Sequence, residues 1–257
     1  MTKFRTTFLG AAVAVSLAAA GLNLTLNSAV LAFTPAPQSS AVGSGVGEIA
    51  GKIYFRGQAP GLRPIQMAKD PICESVQSGP VLPEDGRVNS NGTLPNAFVY
   101  ISKGTGNLSV RAPTEAVTVT QSRCSYQPHV FGIMVGQPLR VVTMDPTTHN
   151  IHIVPKSGRD WDVSQQPGSE PVTTKLTHPE IMVPVHCNIH PWMSAHIGVV
   201  TNPYYAVSGD DGAFQIKGVP QGSYTLSIWT ATFGTQDRQV NVHAGETATA
   251  DFTFASQ

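Results

Sequence analysis

Charge is scarce in this chain, and its scarcity narrows the range of partners. Asp, Glu, Lys and Arg make up 12% of the 257 residues, and 16 basic residues balance 16 acidic residues. Proteins that bind nucleic acid or an anionic membrane surface through charge normally have a basic surplus. The composition therefore indicates neither nucleic acid nor a charged membrane surface as a partner.

Helical patterns and common catalytic motifs are also missing. No stretch has a convincing helical period, and neither a phosphate-binding loop nor a hydrolytic triad is recognisable. Instead, 24 Gly and 20 Pro separate short runs rich in Val, Thr and Ile, several of which alternate apolar and polar residues. Such alternation is the period of half-buried strands. The sequence predicts an all-β protein and not an enzyme.

The N-terminal part has no charged residue between Arg5 and Glu48. Two basic residues followed by an apolar run and a small-residue site are typical of an export signal. We expect a signal peptide over residues 1–32, cleaved after Ala32 or earlier after Ala20, and a Pro/Ser/Gly linker over 33–47. An uncleaved membrane anchor is the alternative, since the run is long enough to span a bilayer. The expected location is the periplasm or the cell exterior.

Only three cysteines are present, and export makes their pairing informative, because oxidising compartments favour disulfides. Cys73 and Cys124 have no ligand-type residues close by in sequence, whereas Cys187 has His186 and His190 around it. The simplest arrangement is a Cys73–Cys124 disulfide that leaves Cys187 for a metal. Three unpaired buried thiols are the alternative.

The stretch "HCNIHPWM" concentrates soft metal ligands. Cys187, His190 and Met193 follow the spacing C-x-x-H-x-x-M, and His149 in "TTHNIHIV" is the candidate fourth ligand. One thiolate, two imidazoles and a distant thioether form the ligand set of a blue-copper centre. Zinc is the rival metal, although a thioether argues against structural zinc. A buried thiol among satisfied histidines in an ordinary sheet is the non-metal alternative.

Around these ligands the sequence resembles the cupredoxins, the blue-copper proteins of the amicyanin and plastocyanin type. The likeness lies in "THNIHIV", "HCNIHPWM" and, upstream, "YQPHVFGIMVGQPLRVVTMD", and the corresponding domain is expected over 107–202. The resemblance implies one type 1 copper bound by His149, Cys187 and His190, with Met193 axial. Thr143 departs from the family, which commonly has an asparagine there that ties the ligand segments together, so a less rigid loop is expected. Ile189 stands where the family often has proline.

The last third resembles a second family, the carboxypeptidase regulatory-like, transthyretin-type β-sandwich. The likeness lies in "SGDDGAFQIKGVPQGSYTLSIW" and the strands after it, and "GEIAGKIYF" and "NAFVYIS" resemble that family's opening strands. We therefore expect a split sandwich over 48–106 and 203–257 with a Greek-key cupredoxin sandwich inserted. Two domains in tandem are the alternative.

These resemblances imply an exported one-electron carrier. In cupredoxins the ring edge of the second histidine reaches the surface, so we expect a redox partner to dock near His190 and Trp192, on apolar surface from Ile189 and Pro191. Copper storage or delivery is an alternative. Another is adhesion or carbohydrate binding with structural copper, through exposed aromatic residues: Tyr204, Tyr205 and Trp229.

The remaining histidines receive separate interpretations. His152 lies three residues from His149, and His186 lies beside Cys187, so each points to the opposite face of its strand from the ligand. His196 is a candidate for a weak second metal site with either of them. Histidines that we expect to be solvated or locally satisfied are His129, His178 and His243.

Overall fold

In the computed structural model, which describes residues 45–106, 108 and 110–256, the regular structure is almost entirely β-strand. The all-β prediction is confirmed. The predicted signal peptide and most of the linker lie outside the described residues. The described part has no helix of the length and apolarity needed to span a membrane. The strands are β1 (Val46–Arg56), β2 (Phe98–Lys103), β3 (Val117–Ser122), β4 (Ser125–Gln127), β5 (Val130–Met134), β6 (Pro138–Thr143), β7 (His149–Ile153), β8 (Trp161–Gln165), β9 (Val172–Lys175), β10 (Glu180–His186), β11 (Ser194–Val200), β12 (Tyr205–Val207), β13 (Ala213–Pro220), β14 (Gly222–Thr230), β15 (Gly234–Val242), β16 (Thr247–Thr249) and β17 (Phe252–Ala255).

Strands from the two ends of the described chain form one sandwich, which we call the outer sandwich. In one sheet β1 pairs antiparallel with β13 and parallel with β16 and β17, and the second sheet has the order β12-β2-β14-β15. Apolar side chains from both sheets alternate inward and form a continuous core that includes Ile49, Ile53, Leu226 and Ile228. The first and last strand groups therefore fold together although more than 100 residues separate them.

The intervening strands form a second sandwich, which we call the inner domain. Its five-stranded sheet has the order β5-β11-β10-β7-β8, and its four-stranded sheet has the order β4-β3-β6-β9. Within the described ranges, β3 to β11 pair only with one another. The buried core between the sheets includes Val119, Leu139, Ile151 and Ile197. In chain order these strands follow β2 and precede β12, which both belong to the outer sandwich.

Two glycines let the sandwiches approach closely. A Cβ added at Gly198 would lie 2.3 Å from Phe98 Cζ, and one at Gly132 would lie 2.1 Å from Tyr205 Cε2. Trp229 packs against His196 with ring centroids 4.9 Å apart. Tyr204 is 9% exposed. Tyr205 and Trp229 are half-buried, so the three aromatic residues considered for a binding platform do not form a fully exposed surface.

The segment between β1 and β2, which we call the covering loop (residues 57–97), is more ordered than its sequence indicates. It contains α1 (Pro71–Ser75), a single helical turn. Asp70 is the N-cap, and its carboxylate accepts hydrogen bonds from the backbone N–H groups of Ile72 and Cys73 at 2.9 and 3.2 Å. Pro71 begins the helix, where a missing N–H costs no hydrogen bond. Its irregular, proline-rich sequence is typical of a surface loop, but Met67 and Cys73 are buried, so part of the segment packs into the molecule.

Candidate metal centre

Strand period and register bring His149 and Cys187 to the same end of the inner domain. In β7, His149, Ile151 and Ile153 share the core-facing side, and each is at most 1% exposed. The antiparallel register pairs Val185 with Ile153. Cys187 follows Val185 by two residues, so its side chain faces the core on the same side as that of Val185. It therefore lies close to His149.

The other two predicted ligands lie in the loop between β10 and β11. The Cys187 N–H donates to the Met193 carbonyl at 3.2 Å, and the Met193 N–H donates to the His190 carbonyl at 2.9 Å. These bonds close the loop and turn His190 back toward the sulfur. Met193 is 1% exposed. The spacing C-x-x-H-x-x-M is thus the spacing of one closed hairpin loop.

The structure brings the predicted donor atoms of three residues together. The Nδ1 atoms of His149 and His190 are 3.0 Å apart, and Cys187 Sγ is 3.8 Å from His190 Nδ1. One donor atom from each residue lies within 4.8 Å of the other two. Metal–nitrogen and metal–sulfur bonds of about 2.0 and 2.3 Å place tetrahedral donor atoms about 3.3–3.5 Å apart. The two distances from His190 Nδ1 therefore need to change by only a few tenths of an ångström to suit one ion.

The outer nitrogen of each imidazole contacts a carboxylate. His149 Nε2 lies 2.8 Å from Asp145 Oδ2, and His190 Nε2 lies 2.7 Å from Asp70 Oδ2. Such contacts fix the ring and leave Nδ1 for a metal, as is common for metal-binding histidines. Asp145 is itself held by the backbone N–H groups of Arg123 and Cys124 at 2.6 and 2.8 Å. Sequence reasoning missed both aspartates, although Asp145 lies only four residues before a predicted ligand.

Hydrogen bonds also hold the sulfur and join the two ligand-bearing segments. Cys187 Sγ accepts from the backbone N–H groups of Asn150 and His190, each at 3.3 Å. The Asn150 side-chain oxygen accepts from the Asn188 N–H at 3.1 Å. Thr143 makes no comparable contact, and its buried hydroxyl has no hydrogen-bond partner. Asn150 thus links the two ligand-bearing segments, the role that the family's asparagine has at the position of Thr143.

Contacts within the site shift the pKa of the Cys187 thiol down and the pKa of the His149 imidazole up. Burial by itself would raise the pKa of Cys187, but hydrogen bonds from His149 and from backbone N–H groups lower it overall. Burial by itself would lower the pKa of His149, but Asp145 and Cys187 raise it to about 9. The thiolate is the form that binds metals. Metal binding must therefore displace a proton from the His149 ring.

The covering loop closes over His190. The His190 side chain is 2% exposed, with Asp70 against its outer nitrogen. The predicted Cys73–Cys124 disulfide is confirmed, and it attaches α1 to the inner domain. The expectation that the ring edge of His190 reaches the surface is therefore wrong. Beside it, Trp192 is half-buried with its ring 5.1 Å from the His190 ring.

The other histidines fall into three groups: a half-buried pair, two residues near Asp85, and two exposed residues. The rings of His152 and His186 lie 4.6 Å apart and outside the metal centre, in agreement with the expected strand orientation. His196 does not join them but lies near Asp85 and His129, which corrects the predicted pairing. His129 is 8% exposed and contacts Ser194 and Asp85, so it is locally satisfied, one of the two states expected for it. The histidines that are exposed are His178 and His243.

Comparisons with known proteins agree with both resemblances seen in the sequence. The family model described as "Carboxypeptidase regulatory-like domain" matches residues 190–255. That match begins at His190, whereas the structure assigns β11, up to Val200, to the inner domain. No curated protein has a significant sequence match to this chain.

Several solved structures are similar to part of the chain. A purple cupredoxin from Nitrosopumilus maritimus is 17% identical over 32% of this chain and 97% of its own, with a TM-score of 0.28. A Cu(I) form of an amicyanin mutant is 16% identical over 39% and 97%, with a TM-score of 0.31. The copper-containing nitrite reductase (NirK) from Thermus scotoductus SA-01 is 23% identical over 34% of this chain, with a TM-score of 0.32, and this chain spans 23% of its length. The chain is similar in part to a carboxypeptidase regulatory-like domain and, over less than half of its length, to solved cupredoxin structures.

Proposed function

We propose that this protein is an exported type 1 copper protein that acts as a one-electron carrier and has no catalytic activity of its own. The observation that supports the proposal is the donor set at the end of the inner domain. A hydrogen-bonded thiolate and two inward-facing Nδ1 atoms lie within bonding reach of one point, with a buried thioether in the same loop. Thiolate and thioether favour Cu(I), and imidazole suits Cu(II), so the set is compatible with both oxidation states.

The ligand residues and the contacts that support them fit a copper ion. His149, Cys187 and His190 would hold the ion, with Met193 as the weakest ligand. Copper would supply a single electron that is accepted and released without bond breaking. Asp145 and the covering loop's Asp70 hold the imidazole rings, and backbone N–H groups hold the sulfur. These contacts restrict movement of the donors, which lowers the reorganisation that accompanies a change of charge.

Export is part of the proposal and has two supports. The N-terminal 32 residues have the composition of a secretion signal. The Cys73–Cys124 disulfide is typical of proteins in oxidising compartments, such as the periplasm or the cell exterior.

Docking of a redox partner is proposed near Trp192. His190 is covered, so the adjacent indole is the group that extends from the imidazole toward the surface. Ile189 is 47% exposed in the same loop, and Pro191 is also exposed. A small apolar patch of this kind suits a brief encounter with a protein partner.

Copper storage or delivery is the second candidate, and the burial of His190 favours it. A ring edge closed by a carboxylate and a disulfide-linked loop slows the approach of both redox partners and competing ligands. A carrier and a storage protein therefore differ in what leaves the site, the electron or the ion.

The central experiment adds Cu(II) to the purified mature protein and records visible and electron-spin spectra. We expect an intense blue or green thiolate charge-transfer band that is absent from Cys187→Ser, because the short copper–thiolate bond is strongly covalent. His243→Gln, at an exposed histidine, is the control and should keep the band. A colourless protein that instead binds Zn(II) tightly would refute the copper proposal. Rapid oxidation and reduction without copper loss to a chelator would favour the carrier, and copper transfer without turnover would favour storage.

A further inference from the structure

A second cluster of ligand-type side chains lies on the opposite face of β11 from the copper ligands. It consists of Asp85 from the covering loop, His129 just before β5, and His196 within β11, and we call it the second cluster. The parallel pairing of β11 with β5 places His196 beside Val130, and the His196 N–H donates to the His129 carbonyl at 2.9 Å. Two neighbouring strands therefore fix the two histidines, and the covering loop brings the carboxylate to them.

The donor atoms of the second cluster have the spacing of metal ligands. Asp85 Oδ1 lies 2.7 Å from His129 Nε2 and 3.3 Å from His196 Nε2. Donor atoms bound to one tetrahedral ion at about 2.0–2.1 Å lie about 3.3–3.4 Å apart. The contact with His196 already has that length, and the contact with His129 needs to widen by about half an ångström.

The contacts around His129 require a proton or a metal ion between its ring and Asp85. His129 Nδ1 lies 2.9 Å from the Ser194 carbonyl, which has no hydrogen to donate, so Nδ1 must carry the proton. Nε2 of a neutral ring then offers only a lone pair to the Asp85 carboxylate at 2.7 Å, which is repulsive. Either a second proton or a metal ion must lie there. In metal-binding histidines, one ring N–H usually donates to a carbonyl or carboxylate oxygen, and the other ring nitrogen binds the metal.

The second cluster faces open space. A cavity of about 290 Å³ is lined by Asp85 and His129, and also by Trp192 and Tyr126. The buried Trp192 Nε1 has no hydrogen-bond partner. Three protein ligands beside a cavity leave a coordination position for water or a small anion, as in metal sites with two histidines and one carboxylate.

We propose that Asp85, His129 and His196 form a second metal site that binds a divalent first-row transition ion. Imidazole and carboxylate without thiolate suit zinc, copper(II), nickel or iron(II). The site is separate from the four predicted copper ligands and does not depend on electron transfer at that centre.

The chain connects the two sites by a short path. Ser194 follows Met193 directly, and its carbonyl accepts the hydrogen bond from His129 Nδ1. Met193 of the first site and His129 of the second are therefore connected through Ser194 and one hydrogen bond. Trp192, between His190 and the cavity, is a second connection.

The test uses elemental analysis to measure the Zn(II) that remains bound to the mature protein after dialysis. We expect two equivalents in the wild type, and one in the His129→Gln/His196→Gln variant. One equivalent should also remain in the Cys187→Ser/His149→Ala variant, which disables the first site. Removing a ligand should weaken the second site by at least about 100-fold, since even outer contacts to metal ligands contribute about 10–100-fold. His178→Gln, an exposed histidine, is the matched control and should leave both equivalents.

Asp85→Asn is the conservative variant for the case in which the double histidine change prevents folding. It should lower the affinity of the second site while leaving the first unchanged. The two proposals fail separately. One equivalent of Zn(II) that depends only on Cys187 and His149 would overturn the second site. One equivalent that depends only on Asp85, His129 and His196 would support the second site, and the Cu(II) spectra would still decide the first.

Discussion

The outer sandwich and the inner domain share an all-β architecture but bury different kinds of polar group. Within the described residues, the buried polar side chains of the outer sandwich and its loops are hydroxyls: Thr93, Ser208, Thr225, Ser227 and Thr230. The inner domain buries ionisable groups, namely His129, Asp145, His149 and His190. The inner domain therefore has the buried ionisable groups from which a site can be made.

The difference shows how each kind of group is satisfied. In the outer sandwich, Ser208 accepts from the Ala97 N–H and donates to the Leu94 carbonyl, each at 2.9 Å, so a hydroxyl completes a backbone pattern. In the inner domain, His149 and His190 each need a carboxylate on one ring nitrogen, and their other nitrogens face each other at 3.0 Å. Two lone pairs or two protons facing at that distance repel. The arrangement becomes favourable when one proton or one ion is shared.

The largest expected effect comes from removing one of the strong copper ligands proposed in the inner domain. His149→Ala should open the site to water and deeply alter the charge-transfer spectrum of the Cu(II) protein. Met193→Leu should leave copper bound and coloured and raise the reduction potential, because a weak donor that favours Cu(II) is lost. Visible and electron-spin spectra with a redox titration make the comparison. Loss of copper from Met193→Leu with an intact spectrum in His149→Ala would reverse the assignment of strong and weak ligands.

The disulfide connects the outer sandwich's covering loop to the inner domain. Cys73→Ala/Cys124→Ala should lower the free energy of unfolding by about 2–4 kcal/mol, mainly because the unfolded chain regains freedom. Denaturant unfolding of both proteins, with and without reductant, measures the change. The variant should be insensitive to reductant, whereas the wild type should approach it when reduced. Equal stability of the two oxidised proteins would contradict the prediction.

Asp70 tests whether the covering loop acts on the metal centre. Asp70→Ala should weaken copper binding by about 10–100-fold, since His190 loses the carboxylate that orients its ring and supports its basicity. Competition against a chelator of known affinity measures the loss. Asp70→Asn keeps a single oxygen, which can serve either the helix cap or His190 but not both, so it should recover at most part of the affinity. An Asp70→Ala protein with unchanged copper affinity would mean that the loop only covers the site.

The smallest effect is expected on the surface of the outer sandwich. Lys52 and Asp211 form an ion pair at 3.4 Å with both side chains largely exposed. Exposed pairs are screened by water and salt and contribute little. Lys52→Ala should leave both the unfolding midpoint and copper affinity unchanged within error, as measured by thermal unfolding and chelator competition. A clear loss of either would show that the outer surface is coupled to the inner domain.

Much of the metal centre is predictable because its ligands are local in sequence or follow strand period. Cys187, His190 and Met193 fall in one closed loop, and His149 falls on the core-facing row of a neighbouring strand. The outer contacts were not predictable. Asp70 lies 120 residues from the imidazole that it contacts, in a segment without any strand or helix period.

The sequence by itself determined the all-β class, the candidate copper ligands and the pairing of Cys73 with Cys124, because alternation, spacing and the number of cysteines are properties of short stretches. Only the tertiary structure decided that His190 is covered, that Asn150 ties the ligand segments together, and that Asp85 meets His129 and His196. The reason is physical. These contacts depend on how the covering loop docks, and packing with a distant part of the chain sets that position, which no local pattern of residues encodes.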